Sequence, residues 1–255
     1  MINFSVISNK SLIGKILRSC LLLIPKNATV RILQGKLKGK KWIKGSGDNG
    51  YWLGTYELEK QKLFEKVVKK GNVVYDIGAN VGFYSLLAAE IVGPLGKVFS
   101  FEPAPRNVFY LKKHIKINKF NNVVVIEAAV SDKKGEFSFF EYESNASGRL
   151  SEEGQLKVAS VILDDLLKDG KILPPNVLKI DVEGAEFLVL KGAKNILNKY
   201  HPIVLLALDS HKTREDCLNL LLSFGYEILP IGSKDLRTTQ EIIAKKNFYK
   251  NLDIT

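Results

Sequence analysis

Sulfur is scarce in this chain. Among 255 residues there are two cysteines, Cys20 and Cys217, far apart and outside any CxxC spacing. That excludes a disulfide framework and a thiolate metal centre, and it suits a reducing compartment. Long apolar runs are also missing. The most apolar early stretch, SCLLLI at 19–24, is far too short to span a bilayer. Lys15 and Arg18 interrupt the apolar residues around it, which argues against a signal peptide. The expected location is therefore cytoplasmic, with membrane association left open. Acid is the scarcer charge, 27 Asp and Glu against 38 Lys and Arg, for a net charge of +11. That surplus fits a solvated lysine-rich surface or a preference for anionic partners such as nucleic acid, phospho-sugars or acidic lipid. Hydrophobic and charged contents of 45% and 25% are those of a soluble globular chain long enough to bury its own core.

No internal repeat or low-complexity tract is present, so organisation must come from periodicity. Residues 11–24 place Leu12, Ile13, Ile16, Leu17, Cys20, Leu21 and Ile24 at helical spacing. This helix is expected to dock on the main domain or to lie on an anionic membrane surface. ATVRILQG and GKKWIKG read as a hairpin around KLKG, followed by a glycine- and aromatic-rich loop and a helix near 57–69. From Val73 onward, apolar β-branched strands alternate with helices. Strands are expected at 72–77, 97–102, 122–130, 177–182 and 202–208, and helices near 81–92, 105–118, 184–198 and 213–224. That rhythm implies a parallel sheet covered on both faces. Residues 131–163 break it and read as an inserted β-ribbon with ESNASGRLSEEG as its loop. Strands at 225–229 and 241–246 are close enough to form an antiparallel pair. Two regions follow: an N-terminal extension, 1–50, and a main domain, 51–255.

A second absence carries the chemistry. VVYDIGANVGFYS, residues 73–85, looks like a glycine turn after a strand, yet the dinucleotide pattern G-x-G-x-x-G fails at Asn80 and Phe83. Asp76 would also repel a pyrophosphate at that strand end. A cofactor with a positive amine, a sulfonium and no phosphate turns that repulsion into attraction, and S-adenosylmethionine is such a molecule. Its methionine part can lie along Gly78, Asn80 and Gly82 with Asp76 near the cationic end. Glu102, ending the next strand in FSFEP, can accept both ribose hydroxyls. In EAAVSD, small Ala128 and Ala129 leave room for adenine, and Asp132 can meet its amino group.

The chain resembles the FkbM-type family of S-adenosylmethionine-dependent methyltransferases. LGTYE (53–57), VVYDIGANVGFYSLLAA (73–89), VFSFEPAPRN (98–107), AVSDKKG (129–135), VILDDLL (161–167) and LKIDVEGAEFLVLKGA (178–193) carry the resemblance, which covers roughly 50–246. It implies a class I methyltransferase fold, a Rossmann-like seven-stranded sheet with the last strand antiparallel, and O-methylation of sugar or polyketide hydroxyls. By matching positions it implies Asp76, Gly78, Asn80, Gly82 and Glu102 as cofactor ligands. One departure stands out: the family's glutamate near the end of the fifth strand is replaced by Ala207, with Asp209 and His211 just beyond.

Ligands of open parallel sheets lie outside the carboxyl ends of the strands. This places Asp181, Glu183 and Glu186 after the fourth strand and Asp209 and His211 after the fifth, around the acceptor. His211 is the first candidate for base because its ordinary pKa is near neutrality, followed by Asp181 and Asp209. Glu183 is a candidate to bind the acceptor or a helix-start acid, and for Glu186 the helix-start reading is preferred. Asp181 and Asp209 are the minimum set for Mg2+, an alternative to a metal-free site. Trp52 and Tyr56 are candidates to stack on a sugar, or to pack under the hairpin; the loop around them and SNASGR are expected to close over the acceptor. His114 and His201 read as surface and turn residues. Two rival functions remain. The charge suggests a nucleic-acid methyltransferase, against which IDVEGAE stands where an (Asn/Asp)-Pro-Pro-(Tyr/Phe) motif belongs. Ala207 and the basic N-terminus suggest a non-catalytic cofactor-binding protein. The oligomeric state is open.

Overall fold

A computed structural model describes residues 21, 23–141, 148–150, 156–208 and 211–246. The hairpin is present: β1 (Thr29–Arg31) pairs antiparallel with β2 (Lys41–Ile43). A short helix α1 (Asn49–Leu53) follows, capped by the Asp48 carboxylate on the Gly50 N–H, and then α2 (Leu58–Val67). The expected helix over 11–24 lies almost wholly outside the described residues.

The main sheet has seven strands. In chain order they are β3 (Val73–Ile77), β4 (Lys97–Phe101), β5 (Val123–Ile126), β10 (Val177–Ile180), β11 (Ile203–Ala207), β12 (Glu227–Pro230) and β13 (Glu241–Lys245). Their spatial order is β12-β13-β11-β10-β3-β4-β5, and β13 alone runs against its neighbours. This is the class I methyltransferase arrangement. Crossover helices α3 (Phe83–Val92), α4 (Pro105–Asn118), α6 (Glu186–Lys191), α7 (Lys194–Tyr200) and α8 (His211–Ser223) connect the strands.

Alternation along each strand sorts side chains between two cores. Tyr75, Phe99, Leu178 and Leu206 face α6, α7 and α8, while Val74, Val98, Val177 and Leu205 face α3. Ile32 and Trp42 of the hairpin enter the second core, so the hairpin is packed into the same interior as the sheet.

Two expectations need correction. The strand expected over 122–130 is broken: Val123–Ile126 belongs to the main sheet, and β6 (Ala129–Val130) leaves it to pair with β9 (Leu156–Val161). With β7 (Gly135–Glu141) and β8 (Gly148–Leu150) these form a four-stranded sheet in the order β6-β9-β7-β8, which is the inserted ribbon. β8 occupies part of the expected loop, and most of the SNASGR segment lies outside the described residues. The helix expected over 184–198 is two helices. A Cβ at Gly192 would come within 2.2 Å of the Ser131 carbonyl oxygen, so only glycine permits that approach. The Asp164 carboxylate of α5 (Leu163–Lys168) then starts α7 afresh by accepting from the Asn195 and Ile196 N–H groups at 2.8 and 2.9 Å.

Candidate active site

Strand register, combined with alternation, aligns one row of side chains along the α3 face at the carboxyl edge of the sheet. Asp76 pairs with Ser100 on one side and Lys179 on the other, and Lys179 with Leu205. Two residues further along come Glu102, Gly78, Asp181 and Ala207, with Glu241 of β13 in register with Ala207. Acids therefore alternate with the smallest side chains: Glu102, Gly78, Asp181, Ala207, Glu241.

The inner row is closed to solvent. Asp76 is fully buried; its Oδ2 accepts from the Ser85 hydroxyl at 2.6 Å, and its Oδ1 lies 3.4 Å from the Lys179 ammonium. Burial pushes the Asp76 carboxyl up, with Lys179 and Ser85 opposing it. Lys179 is itself buried, which lowers its pKa, but Asp181 and Asp76 more than restore it, so it stays charged. It also donates to the Gly78 carbonyl at 3.0 Å. The expectation that Asp76 meets a cofactor amine is thus answered by an internal cation: Lys179 already fills that role beneath the turn.

The turn itself is tightly built. Gly78 has φ +75°, and a Cβ there would fall 1.8 Å from the Asp181 carbonyl oxygen. Asn80 is left-handed at φ +50°. Its N–H donates to Glu102 Oε2 at 2.7 Å, while the Ala104 N–H donates to Oε1 at 2.9 Å. Glu102 therefore ties the glycine turn to the start of α4. Burial raises its carboxyl to about 7, against these N–H donors.

A second cation organises the other end of the row. Lys60 of α2, only 3% exposed, reaches Glu241 at 2.6 Å, Asp181 at 3.2 Å and Glu57 at 3.3 Å. Glu57 is left-handed at φ +46° and also accepts from the Tyr84 hydroxyl at 2.9 Å. The three carboxylates keep 24–29% of their side-chain surface, so they form a lip around a buried ammonium. Burial would raise Asp181, but Lys179 and Lys60 together hold it down at about 2. Burial raises Glu241, with Lys60 opposing.

Lys60, Lys179, Glu57, Glu241 and Tyr84 were not singled out from sequence. A lone lysine inside the apolar strand VLKI was the available signal, since a buried ammonium needs a carboxylate in register. Lys60 and Glu241 had no such signal, because Asp181 and Glu241 lie more than a hundred residues from Lys60 along the chain.

The remaining expected residues divide. Trp52 is 5% exposed, its indole N–H on Asn49, so it packs under the hairpin and is not available to stack on a sugar. Tyr56 is half-buried among Tyr51, Phe83 and Tyr84 beside the lip. Glu183 is exposed on a left-handed residue after β10, and Glu186 opens α6 with the Gly184 N–H on its carboxylate. Ala129 is buried against Ala104 and Val158. Asp132 is engaged by the Lys191 ammonium, which lowers its pKa. His211 is the first residue of α8, just past β11; its side chain, and Asp209, lie outside the described residues. His114 is not a surface residue: it is fully buried, stacks on Trp42 at 3.8 Å, and is held near pKa 4 by burial. Its Nδ1 donates to the Val81 carbonyl while Nε2 accepts from the Ile43 N–H, which links hairpin to glycine turn. Among the described residues no group of three or more His, Cys, Asp or Glu is arranged to hold a metal ion, and no helix is long and apolar enough to cross a membrane.

Similarity to known proteins agrees with this geometry. Residues 76–228 match the methyltransferase FkbM domain. Over 145 residues the chain is 28% identical to the hexuronic acid methyltransferase AglP of Haloferax volcanii, a match covering 56% of this chain and 59% of that relative. It thus spans little more than half of that protein's length. Over 157 residues it is 28% identical to the ribosomal RNA large subunit methyltransferase E of Nitrosomonas europaea, covering 57% of this chain and 73% of the relative. In fold it is similar to the FkbM methyltransferase of Methylobacillus flagellatus, with a TM-score of 0.50 at 16% identity over 72% of this chain and 50% of that one. The chain belongs to the FkbM methyltransferase domain family.

Proposed function

We propose that this protein is an S-adenosylmethionine-dependent O-methyltransferase acting on a hydroxyl of a sugar, glycan or related small molecule. The observation that carries the reading is the acid–small alternation along one edge: Glu102, Gly78, Asp181, Ala207, Glu241. The residues fit a phosphate-free adenosyl cofactor. Glu102 has about four acceptor positions; the Asn80 and Ala104 N–H groups fill two and the Asn107 side-chain amide, at 3.4 Å, a third, which leaves one to accept from a ribose hydroxyl. Gly78, Asn80 and Gly82 provide the close backbone approach, and Ala129 and Asp132 flank the adenine side. When bound, the cofactor supplies an electrophilic methyl group on a sulfonium.

The chain's own residues do the rest. Glu57, Asp181 and Glu241 are hydrogen-bond acceptors suited to orienting polyol hydroxyls, and Lys60 holds them in place. Asp181, held at about 2, orients and is a poor proton acceptor. His211, which follows β11 in the chain, is the proposed base, with Asp209, two positions earlier in the sequence, as the second candidate. Tyr56 and Glu183 border the acceptor. Ala207 does not leave the edge without an acid, because Glu241 stands in register with it. This argues against a decayed acceptor site.

The test is transfer of labelled methyl groups to a panel of neutral glycosides, uronosides and RNA. Methylation of glycosides, lost in His211→Ala with unchanged cofactor affinity, is the expected result. Methylated RNA with unmodified glycosides would contradict it.

A further inference from the structure

The surplus of positive charge is not spread evenly. Residues 25–47, which contain the hairpin, carry seven Lys and Arg and no acid; α4 carries four and no acid. These two segments lie against each other, since the Asn118 side chain donates to the Lys41 carbonyl and the Arg106 guanidinium to the Ser46 carbonyl. Between them runs a groove of about 440 Å³ lined by Thr29 and Ile43 on one wall and Phe109, Lys113, Lys116 and Ile117 on the other. Lys113 and Lys116 are exposed, one helical turn apart, and no carboxylate pairs with either among the described residues. Like charges at that spacing repel, so an anion placed there relieves a standing cost. By contrast, Lys40 and Lys112 at the margins are answered by Glu90 and Glu127.

The groove also offers apolar surface. Phe109 is 52% exposed under the Lys113 ammonium, which lies 4.2 Å from its ring centre, and Ile43 and Ile117 line the groove; along the chain, Leu33 of the hairpin segment and Leu23 just before it are 48% and 83% exposed. Unpaired lysines around exposed aromatic and aliphatic side chains suit an interface where phosphates sit above hydrocarbon. A polynucleotide would need the charge but not the aliphatic residues. We propose that the hairpin–α4 face is a docking surface for an anionic phospholipid bilayer. None of its residues belongs to the carboxylate edge, so the surface brings the catalytic crevice to acceptors at a membrane without taking part in transfer.

The experiment is co-sedimentation of the purified chain with vesicles of phosphatidylcholine alone or mixed with phosphatidylglycerol, with inorganic phosphate and transfer RNA as competitors. The expected result is retention on the anionic vesicles, weakened by salt and unaffected by inorganic phosphate. Lys113→Gln/Lys116→Gln should weaken it roughly thirtyfold, at about a kcal/mol per charge. Lys194→Gln/Lys199→Gln on α7, with the same loss of charge, should not. S-adenosylhomocysteine binding should match the unsubstituted chain in both variants, which shows that the fold is intact. Equal retention on both vesicle types, equal loss in both double variants, or displacement by transfer RNA at stoichiometric amounts would overturn the proposal. The last result would make the face a nucleic-acid site.

Discussion

Asp76 and Lys179 are the residues on which the site rests, because neither is tolerable alone. Both are buried, on adjacent strands in register, with Ser85 and Ser100 completing the cluster. Removing one member of a buried ion pair leaves an uncompensated charge and typically costs about 3–5 kcal/mol. Lys179→Met is therefore expected to destabilise the chain by that amount in urea unfolding. Asp76→Asn/Lys179→Met should cost clearly less than the sum of the singles, since the double variant leaves no buried charge unpaired. His114 gives a second test. Its pKa is lowered from 6.5 to about 4, so the stability it reports is present above pH 6.5 and lost as pH falls toward 4. The span corresponds to about 3 kcal/mol. A chain with His114→Gln should show a flatter acid limb in pH-dependent thermal melts. Asp76 and Glu102 were legible in the sequence because each ends a strand and interrupts an apolar run. Lys60 and Glu241 were not, because contact between a helix and a strand so remote in the chain is a tertiary fact.

At the level of elements, continuous apolar runs made the parallel strands easy to place, since strands buried on both faces have no polar alternation to confuse with helix. The errors came where an element is cut by a contact that its own sequence does not contain. Gly192 stops one helix because it lies against Ser131, and the next begins because Asp164 of α5 reaches its first N–H groups. Asp164→Ala removes that cap and is expected to cost about 1 kcal/mol, with faster hydrogen exchange confined to α7. Loss of protection across the whole sheet would contradict a local capping role. The segment 122–130 divides for a similar reason: β6 leaves the main sheet to pair with β9, thirty residues ahead.

For the whole molecule, the register of five strands places one line of acids at the carboxyl edge of the sheet, and two lysines hold that line together from below and above. Glu102 couples this line to pH. Burial raises its pKa from 4.5 to about 7. A raised carboxyl contributes stability below pH 4.5 that is lost as pH rises through 7. Hydroxyl donors favour the ionised form, so a ribose bound there should expel a proton. Binding heats measured near pH 7 in buffers of different ionisation enthalpy should report that release in the unsubstituted chain, and no release in Glu102→Gln.

The most direct measurement is calorimetric titration of the purified chain with S-adenosylhomocysteine beside NAD and ATP. The carboxylate edge predicts binding of S-adenosylhomocysteine, binding at least tenfold weaker in Glu102→Ala, equivalent to about 1.4 kcal/mol, and no comparable affinity for either phosphate-bearing ligand. Preference for NAD or ATP, or full affinity for S-adenosylhomocysteine without the Glu102 carboxylate, would contradict it.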